Sequence, residues 1–301
     1  MLAVTYSEYG DPSVLEVTEL PEPHAGPGQV RIAVRTAGVN PADWKMRAGL
    51  FKGHSPAIFP VVPGLEAAGV VDEVGDGVTD FQVGDEVFGL GQATSAQFAV
   101  LHHFAPKPAA LTWEQAGGLA LGAETALRGL EMLGLAAGQT IVIDGAAGAV
   151  GSAAAQFAIA DGCTVIGTAS PSNHDQLRAL GVIPTIYGPG LPERVAALAP
   201  GGVDAALDTA GRGSLPDLIQ IVGSADKVVT IADFSAAEHG VRVTSTQTAF
   251  HALPRAAHLA EEGKFTVAID SEYPLSEAAK AHERSQGGHL HGKIVLEIAE
   301  G

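Results

Sequence analysis

The stretch Ile141-Val142-Ile143-Asp144-Gly145-Ala146-Ala147-Gly148-Ala149-Val150-Gly151 decides the fold. Thr140 to Ile143 reads as an apolar strand, a glycine-rich turn follows, and Val150 to Ala160 reads as a helix. In that setting glycine permits a tight turn, close approach of the backbone to a pyrophosphate, and close packing of helix on strand. The helix N-terminus adds unpaired N–H groups and a partial positive charge. We therefore expect a dinucleotide on Gly145, Ala147, Gly148, Ala149, Val150 and Gly151. The pattern is A-x-G-x-x-G rather than G-x-G-x-x-G, and a purely structural turn is the competing reading.

Downstream of this loop, strands and helices alternate. Thr164 to Thr168 reads as a strand, His174 to Leu180 as a helix, Pro192 to Leu198 as a short helix, and Val203 to Leu207 and Asp226 to Ile231 as strands. That alternation predicts a parallel sheet covered by helices on both faces. Upstream, Val30 to Thr36, Gly69 to Val74 and Glu86 to Gly89 read as short strands. Turn signals such as Gly26-Pro27-Gly28 and Gly75-Asp76-Gly77 separate them, as in a partly closed barrel or sandwich. Thr112 and Gln115 form a helix-start pair, and an Ala/Leu/Gly-rich stretch runs on to about Leu133. Lys293 to Ile298 resembles the early strands. The expected organisation is a β domain of residues 1–111 and 271–301 with an α/β domain of residues 112–270 inserted in it.

The second strand of the α/β domain ends Thr168-Ala169-Ser170-Pro171-Ser172-Asn173. An acidic residue here would bind the 2′-hydroxyl of NAD. Small hydroxyl and amide groups at Thr168, Ser170 and Asn173 leave room for a 2′-phosphate, which favours NADP(H). Helix capping by Ser170 and Asn173 is the alternative, and both roles can coexist.

The bulk composition narrows the partners. Seventeen basic against 34 acidic residues give a formal charge of −17, which argues against nucleic acid and anionic membrane as partners. The single cysteine, Cys163, rules out an internal disulfide and a Cys-rich zinc site. With no basic–apolar leader at the N-terminus and no long apolar run, the expected location is cytoplasmic.

Several segments together resemble the zinc-free quinone oxidoreductase and enone reductase branch of the medium-chain dehydrogenase/reductase superfamily. They are Ala37-Gly38-Val39-Asn40-Pro41-Ala42-Asp43-Trp44-Lys45-Met46-Arg47-Ala48-Gly49, Pro63 to Val71, Val83 to Val87, the glycine loop, Thr168-Ala169-Ser170, and Gly292 to Leu296. The resemblance spans nearly the whole chain. It implies an α/β Rossmann dinucleotide-binding domain inserted in a GroES-like β-barrel substrate domain, an active site between the two, and a homodimer. Zinc-dependent members carry Cys, then His-Glu, where this chain has Gly38-Val39-Asn40 and Leu65-Glu66, so no metal site is expected. The pairs His102-His103 and His289-Leu290-His291 lack a third ligand.

Without zinc, reduction of a quinone or of a C=C conjugated to a carbonyl is easier to support than alcohol oxidation. The developing oxyanion needs a donor, and Lys45 is the candidate, with Asn40 beside the nicotinamide and Asp43 orienting either one. A solvated lysine on a short helix is the bland alternative. The resemblance also points to Thr125 near the nicotinamide and to Tyr187 and Ala210 beside the cofactor. Ile231, Ala232 and Asp233 lie where backbone reaches the carboxamide, and Phe51 and Phe250 where the substrate pocket is expected. Pocket shape depends on Leu50 to Phe59 and on Thr244 to Leu253; the role of Glu124 stays open. Many relatives carry Tyr after the Arg-x-Gly, whereas Leu50-Phe51 follow Arg47-Ala48-Gly49, so the proton donor is also open. A biosynthetic tailoring protein, such as a cyclase, that keeps the fold without redox use of NADP(H) is the second functional reading.

Overall fold

The computed structural model describes residues 1–244 and 248–298. Residues 245–247 of the expected pocket loop and 299–301 of the expected first domain lie outside it. The chain forms two compact units: residues 1–121 with 253–301, and residues 122–252.

The first unit opens with a hairpin of β1 (Leu2–Thr5) and β2 (Glu16–Glu19). It continues through β3 (Val30–Val39), α1 (Pro41–Arg47), β4 (Glu66–Val74), β5 (Glu86–Gln92), β6 (Phe98–Pro106) and α2 (Trp113–Gly117). The second unit contains α3 (Ala120–Leu133, crossing the boundary), β7 (Thr140–Asp144), α4 (Ala149–Ala160), β8 (Thr164–Thr168) and α5 (His174–Ala179). It adds β9 (Ile183–Thr185), α6 (Leu191–Leu198), β10 (Ala205–Asp208), α7 (Leu215–Val222), β11 (Val228–Thr230) and β12 (Arg242–Val243). The chain then re-enters the first unit with α8 (Ala252–Glu261), β13 (Ile269–Pro274), α9 (Ala278–Gly287) and β14 (Lys293–Glu297).

In the first unit the sheet runs β13-β14-β3-β4-β5-β6, and β3 pairs with β6 as well, which closes a barrel. The long strand β3 alternates buried and half-buried residues from Val30 to Arg35 and then stays buried to Val39, so its second half is covered on both faces. Val30, Ile32 and Val34 fill the interior with Val71, Val87, Leu101, Ile294 and Leu296. β6 was not foreseen: Leu101-His102-His103-Phe104 breaks strict alternation, and the strand forms because it seals the barrel between β5 and β3. Gln29 Nε2 lies 2.8 Å from His102 Nδ1, and among the described residues no group of three or more His, Cys, Asp or Glu could hold a metal ion.

In the second unit all pairings are parallel and the order is β12-β11-β10-β7-β8-β9. This is the doubly wound order whose reversal lies between its first and fourth strands, here β7 and β10. The units divide at Leu121/Gly122 and Ala252/Leu253 rather than at 111/112 and 270/271. Two bonds explain the shift. Gln115 Nε2 donates to the Val267 carbonyl (3.2 Å) and the Ala109 N–H to Glu261 (2.5 Å), which keeps α2 and α8 with the barrel. The stretch from Thr112 to Leu133 forms two helices. Thr112 and Gln115 do form the capping box of α2, but Gly117 lies against the backbone of Thr36 and Gly118 under Lys293, where no side chain fits. No helix among the described residues is long and apolar enough to cross a membrane.

Candidate functional site

The strand ends β7, β8 and β10 carry the glycine loop. Gly145 turns the chain with φ +81°, which glycine adopts without strain. A Cβ on Gly145 would stand 2.9 Å from Thr209 Oγ1 and 3.2 Å from Ala210 Cβ, and one on Gly151 would strike the Gly145 carbonyl. Side chains brace the turn from below. The Gly145 N–H donates to Thr168 Oγ1 (3.0 Å), and the Thr168 hydroxyl donates to the buried Asp144 carboxylate, which also accepts from Ser214 (2.6 Å). The Thr209 hydroxyl donates to the Asp144 carbonyl at 2.7 Å.

α4 begins at Gly148, an N-cap with no side chain to satisfy the first-turn N–H groups of Ala149, Val150 and Gly151. These donors point from the N-terminus of a twelve-residue helix at the reversal of strand order. Backbone cradle, helix N-terminus and switch point together fit a pyrophosphate.

The neighbouring strand ends are bonded internally. Asp208 is fully buried and accepts from the N–H groups of Ala210 and Gly211 (2.9 Å each) and from the Thr230 hydroxyl (2.7 Å). Burial raises its carboxyl above the ordinary range, and these bonds oppose that shift. Thr230 Oγ1 in turn accepts from the N–H groups of Ala232 (3.1 Å) and Asp233 (3.0 Å), and Ile231 N–H donates to the Asp208 carbonyl. Backbone donors at the three expected carboxamide-binding positions are thus engaged, and what Ile231 and Ala232 can offer a ligand is carbonyl acceptors. The Asp233 carboxylate accepts from the Ser235 hydroxyl (2.6 Å) and N–H (2.8 Å), which holds it below its usual range.

On the far side of the loop, Ser170 Oγ lies 3.2 Å from the hydroxyl of Tyr187, a half-exposed ring. Neither Ser170 nor Asn173 makes a side-chain cap bond, so the capping alternative fails for both. No acidic residue occupies positions 168–173. Arg178 pairs with Asp175 (2.7 Å), and Arg194 binds the carbonyls of Ile186 and Pro189 and so shapes the loop that carries Tyr187.

Thr125, on α3, donates to the buried Glu124 (3.4 Å) and accepts from Arg128. Glu124 also accepts the N–H of Ala249 at 3.0 Å and so tethers the segment that holds Phe250. That bond gives the otherwise unassigned glutamate a place.

In the barrel unit the expected catalytic residues separate. Asn40 caps α1, and its own N–H donates to Asp43 Oδ2 (2.7 Å). Its side-chain amide is clamped at both ends: Nδ2 donates to Glu66 (2.8 Å), and Oδ1 accepts from Lys293. Lys293 also pairs with Glu66, whose second oxygen accepts the Leu121 N–H at 2.8 Å. The amide orientation follows from these charges, since an ammonium cannot accept and a carboxylate cannot donate. The three side chains meet because Asn40, Glu66 and Lys293 stand at one end of adjacent strands β3, β4 and β14. Gly38 leaves room: a Cβ there would be 2.6 Å from Glu66 Oε1.

Asp43 is buried, and burial above all raises its carboxyl to about 7. Lys45 lies about 140° around α1 from Asn40 at 100° per residue, half-buried, with its ammonium 5.8 Å from the Trp44 ring centroid. Asn40 and Asp43 are therefore brought together, and Lys45 stands on another face of α1. Lys293 was missed, because a lysine opening an apolar strand reads as an exposed strand end. Phe51 and Phe250 are both half-buried.

Comparison with known proteins agrees with this architecture. Residues 26–123 match the alcohol dehydrogenase GroES-like domain, and residues 190–296 match the zinc-binding dehydrogenase family. The chloroplast envelope quinone oxidoreductase homolog of Arabidopsis thaliana is 29% identical over 99% of this chain and 98% of its own. The 2-methylene-furan-3-one reductase of Solanum lycopersicum is 30% identical over 98% of this chain and 79% of its own. Among solved structures, mycobacterial Rv1454c complexed with NADPH superposes with a TM-score of 0.83 at 27% identity, covering 99% of this chain and 100% of that one. An NAD-dependent alcohol dehydrogenase does so with 0.86 at 28%, with the same coverage. Likeness of fold therefore does not choose between the two cofactors.

Proposed function

Because the chain belongs to the medium-chain dehydrogenase/reductase superfamily and is an oxidoreductase of that type, we propose that it is an NADPH-dependent reductase of quinones or of the C=C of α,β-unsaturated carbonyls. The observation that carries this reading is the glycine cradle at the β7/β10 switch point with hydroxyls, not a carboxylate, beyond β8. The bound dinucleotide would supply a hydride to the electrophilic carbon.

The chain's own residues do the rest. The α4 N-terminus and Gly145 hold the pyrophosphate. Ser170 and Tyr187 donate to the 2′-phosphate, which a carboxylate at that place would repel. The carbonyls of Ile231 and Ala232 accept from the carboxamide and fix the ring's face. Lys45 donates to the substrate carbonyl oxygen as negative charge grows there. Asn40, with its amide locked by Lys293 and Glu66, keeps one N–H and offers a donor of fixed direction.

At the positions that match zinc ligands in metal-dependent relatives stand Asn40 and Leu65-Glu66, and the Glu66 carboxylate is occupied by Lys293, Asn40 and Leu121. The reading accordingly uses no metal. The test follows 340 nm absorbance with NADPH against a panel of quinones and enones. Oxidation of NADPH with at least one of these classes is expected. Absence of turnover across the panel, with NADPH shown to bind, overturns the reading and favours a non-redox tailoring role.

A further inference from the structure

Arg47, near the C-terminal end of α1, is fully buried. Its Nη2 donates to Gln286 Oε1 at 3.2 Å, while Nε and Nη1 have no hydrogen-bond partner among the described residues. Asp11 and Tyr6 act on it through space, but Asp11 spends Oδ1 on the N–H (2.9 Å) and hydroxyl (2.5 Å) of Ser13. Opposite stands α9, whose residues 282, 285 and 286 share one helical face. His282 and Ser285 are buried, and His282 Nδ1 and Ser285 Oγ likewise have no partner among the described residues. Burial, and then the Arg47 charge, push the imidazole down to about 4, so it is neutral at physiological pH.

The seam between α1 and α9 thus holds a surplus of donors and a buried positive charge that Asp11 reaches only through space, with no carboxylate in ion-pair contact among the described residues. A guanidinium cannot escape by losing its proton. An uncompensated buried charge is strongly destabilising, and orphaned buried polar groups call for a ligand. We propose that this seam is a binding site for a small inorganic monovalent anion, chloride in the cell, held by Arg47 Nε and Nη1 together with His282 and Ser285. Gln286 is exposed and covers the outer edge of the guanidinium, one side chain from solvent. The anion pins α1 to α9, and α1 carries Asn40 and Asp43 at its other end.

The test uses the full chain. Crystals grown in sodium bromide should show an anomalous peak within about 3.5 Å of Arg47 Nε or Nη1. Melting curves at constant ionic strength, with sodium gluconate replaced by chloride, should rise by about 3 °C per tenfold chloride above the site's Kd. Arg47→Met should abolish that dependence; should this variant fail to fold, Ser285→Ala should weaken it. A seam that holds water and no bromide overturns the proposal. So does a Tm indifferent to which anion is present, which would leave a bromide peak as an adventitious ion only.

Discussion

The two units hold their polar machinery in opposite ways. The strand ends of the Rossmann unit are shaped by glycines and neutral hydroxyls, and their buried acids, Asp144 and Asp208, are satisfied by O–H and N–H donors of neighbouring strands and loops. The barrel end is built on charge: Lys293 and Glu66 sit buried against the Asn40 side-chain amide, and the buried Asp43 accepts its backbone N–H. The first arrangement suits a ligand that brings its own negative charge. The second holds one amide rigid between buried charges, and its integrity depends on every partner being present.

That contrast predicts where damage is greatest. Lys293→Met should cost about 3–5 kcal/mol in chemical denaturation, because it leaves Glu66 buried and unpaired. Adding Glu66→Gln to it should recover a large part, and a double variant as unstable as the sum of the singles would break the assignment.

Asp43 comes next. Its unfolded carboxyl ionises near 3.8 and its folded one at about 7, so the protonated form favours the folded state. This contribution is complete below about pH 4 and is lost as pH rises through 7, up to about 4 kcal/mol. Asp43→Asn should therefore gain Tm relative to the parent chain as pH rises from 5 to 8. A gap that does not change with pH would contradict the shifted carboxyl.

Lys45→Ala should lower kcat about 100-fold, the effect of losing an oxyanion donor, while leaving NADPH affinity nearly unchanged. Unchanged turnover would remove Lys45 from the reaction and leave Asn40 as the donor. In the Rossmann unit, Gly151→Ala should cost about 2 kcal/mol through the collision with the Gly145 carbonyl and weaken NADPH binding. The smallest effect is at the ribose: Ser170→Asp should weaken NADPH about tenfold, or about 1.4 kcal/mol, and spare NADH. Equal losses for both dinucleotides would mean that Ser170 does not face the 2′ position.

The same contrast explains what was legible in the amino-acid sequence. A strand, a glycine turn and a helix N-terminus are local, so Ile141 to Gly151 could be read as one object, and the capping box at Thr112 likewise. The strand Lys293 to Ile298, alike in pattern to the early strands, pointed to the split β domain, and the resemblance across the chain made it a GroES-like barrel. Lys293 was invisible, because its partners Asn40 and Glu66 are joined to it only by the pairing of β14 with β3 and of β3 with β4. β6 lacked period-two alternation, and closure of the barrel, not local pattern, makes it a strand. The break at Gly117-Gly118 reflects the need to pass Thr36 and Lys293, neither of which is near in sequence. Lys45 and Asn40 looked like one constellation because they are five positions apart, yet a helix turns them to different sides.

The proposed function requires that the cradle from Gly145 to Gly151 bind NADPH in preference to NADH. Titration of the intact chain with each reduced dinucleotide, followed by the change in nicotinamide fluorescence, tests it most directly. The dissociation constant for NADPH should lie at least about tenfold below that for NADH, a gap of about 1.4 kcal/mol. Equal constants, a preference for NADH, or no saturable binding of either would contradict it.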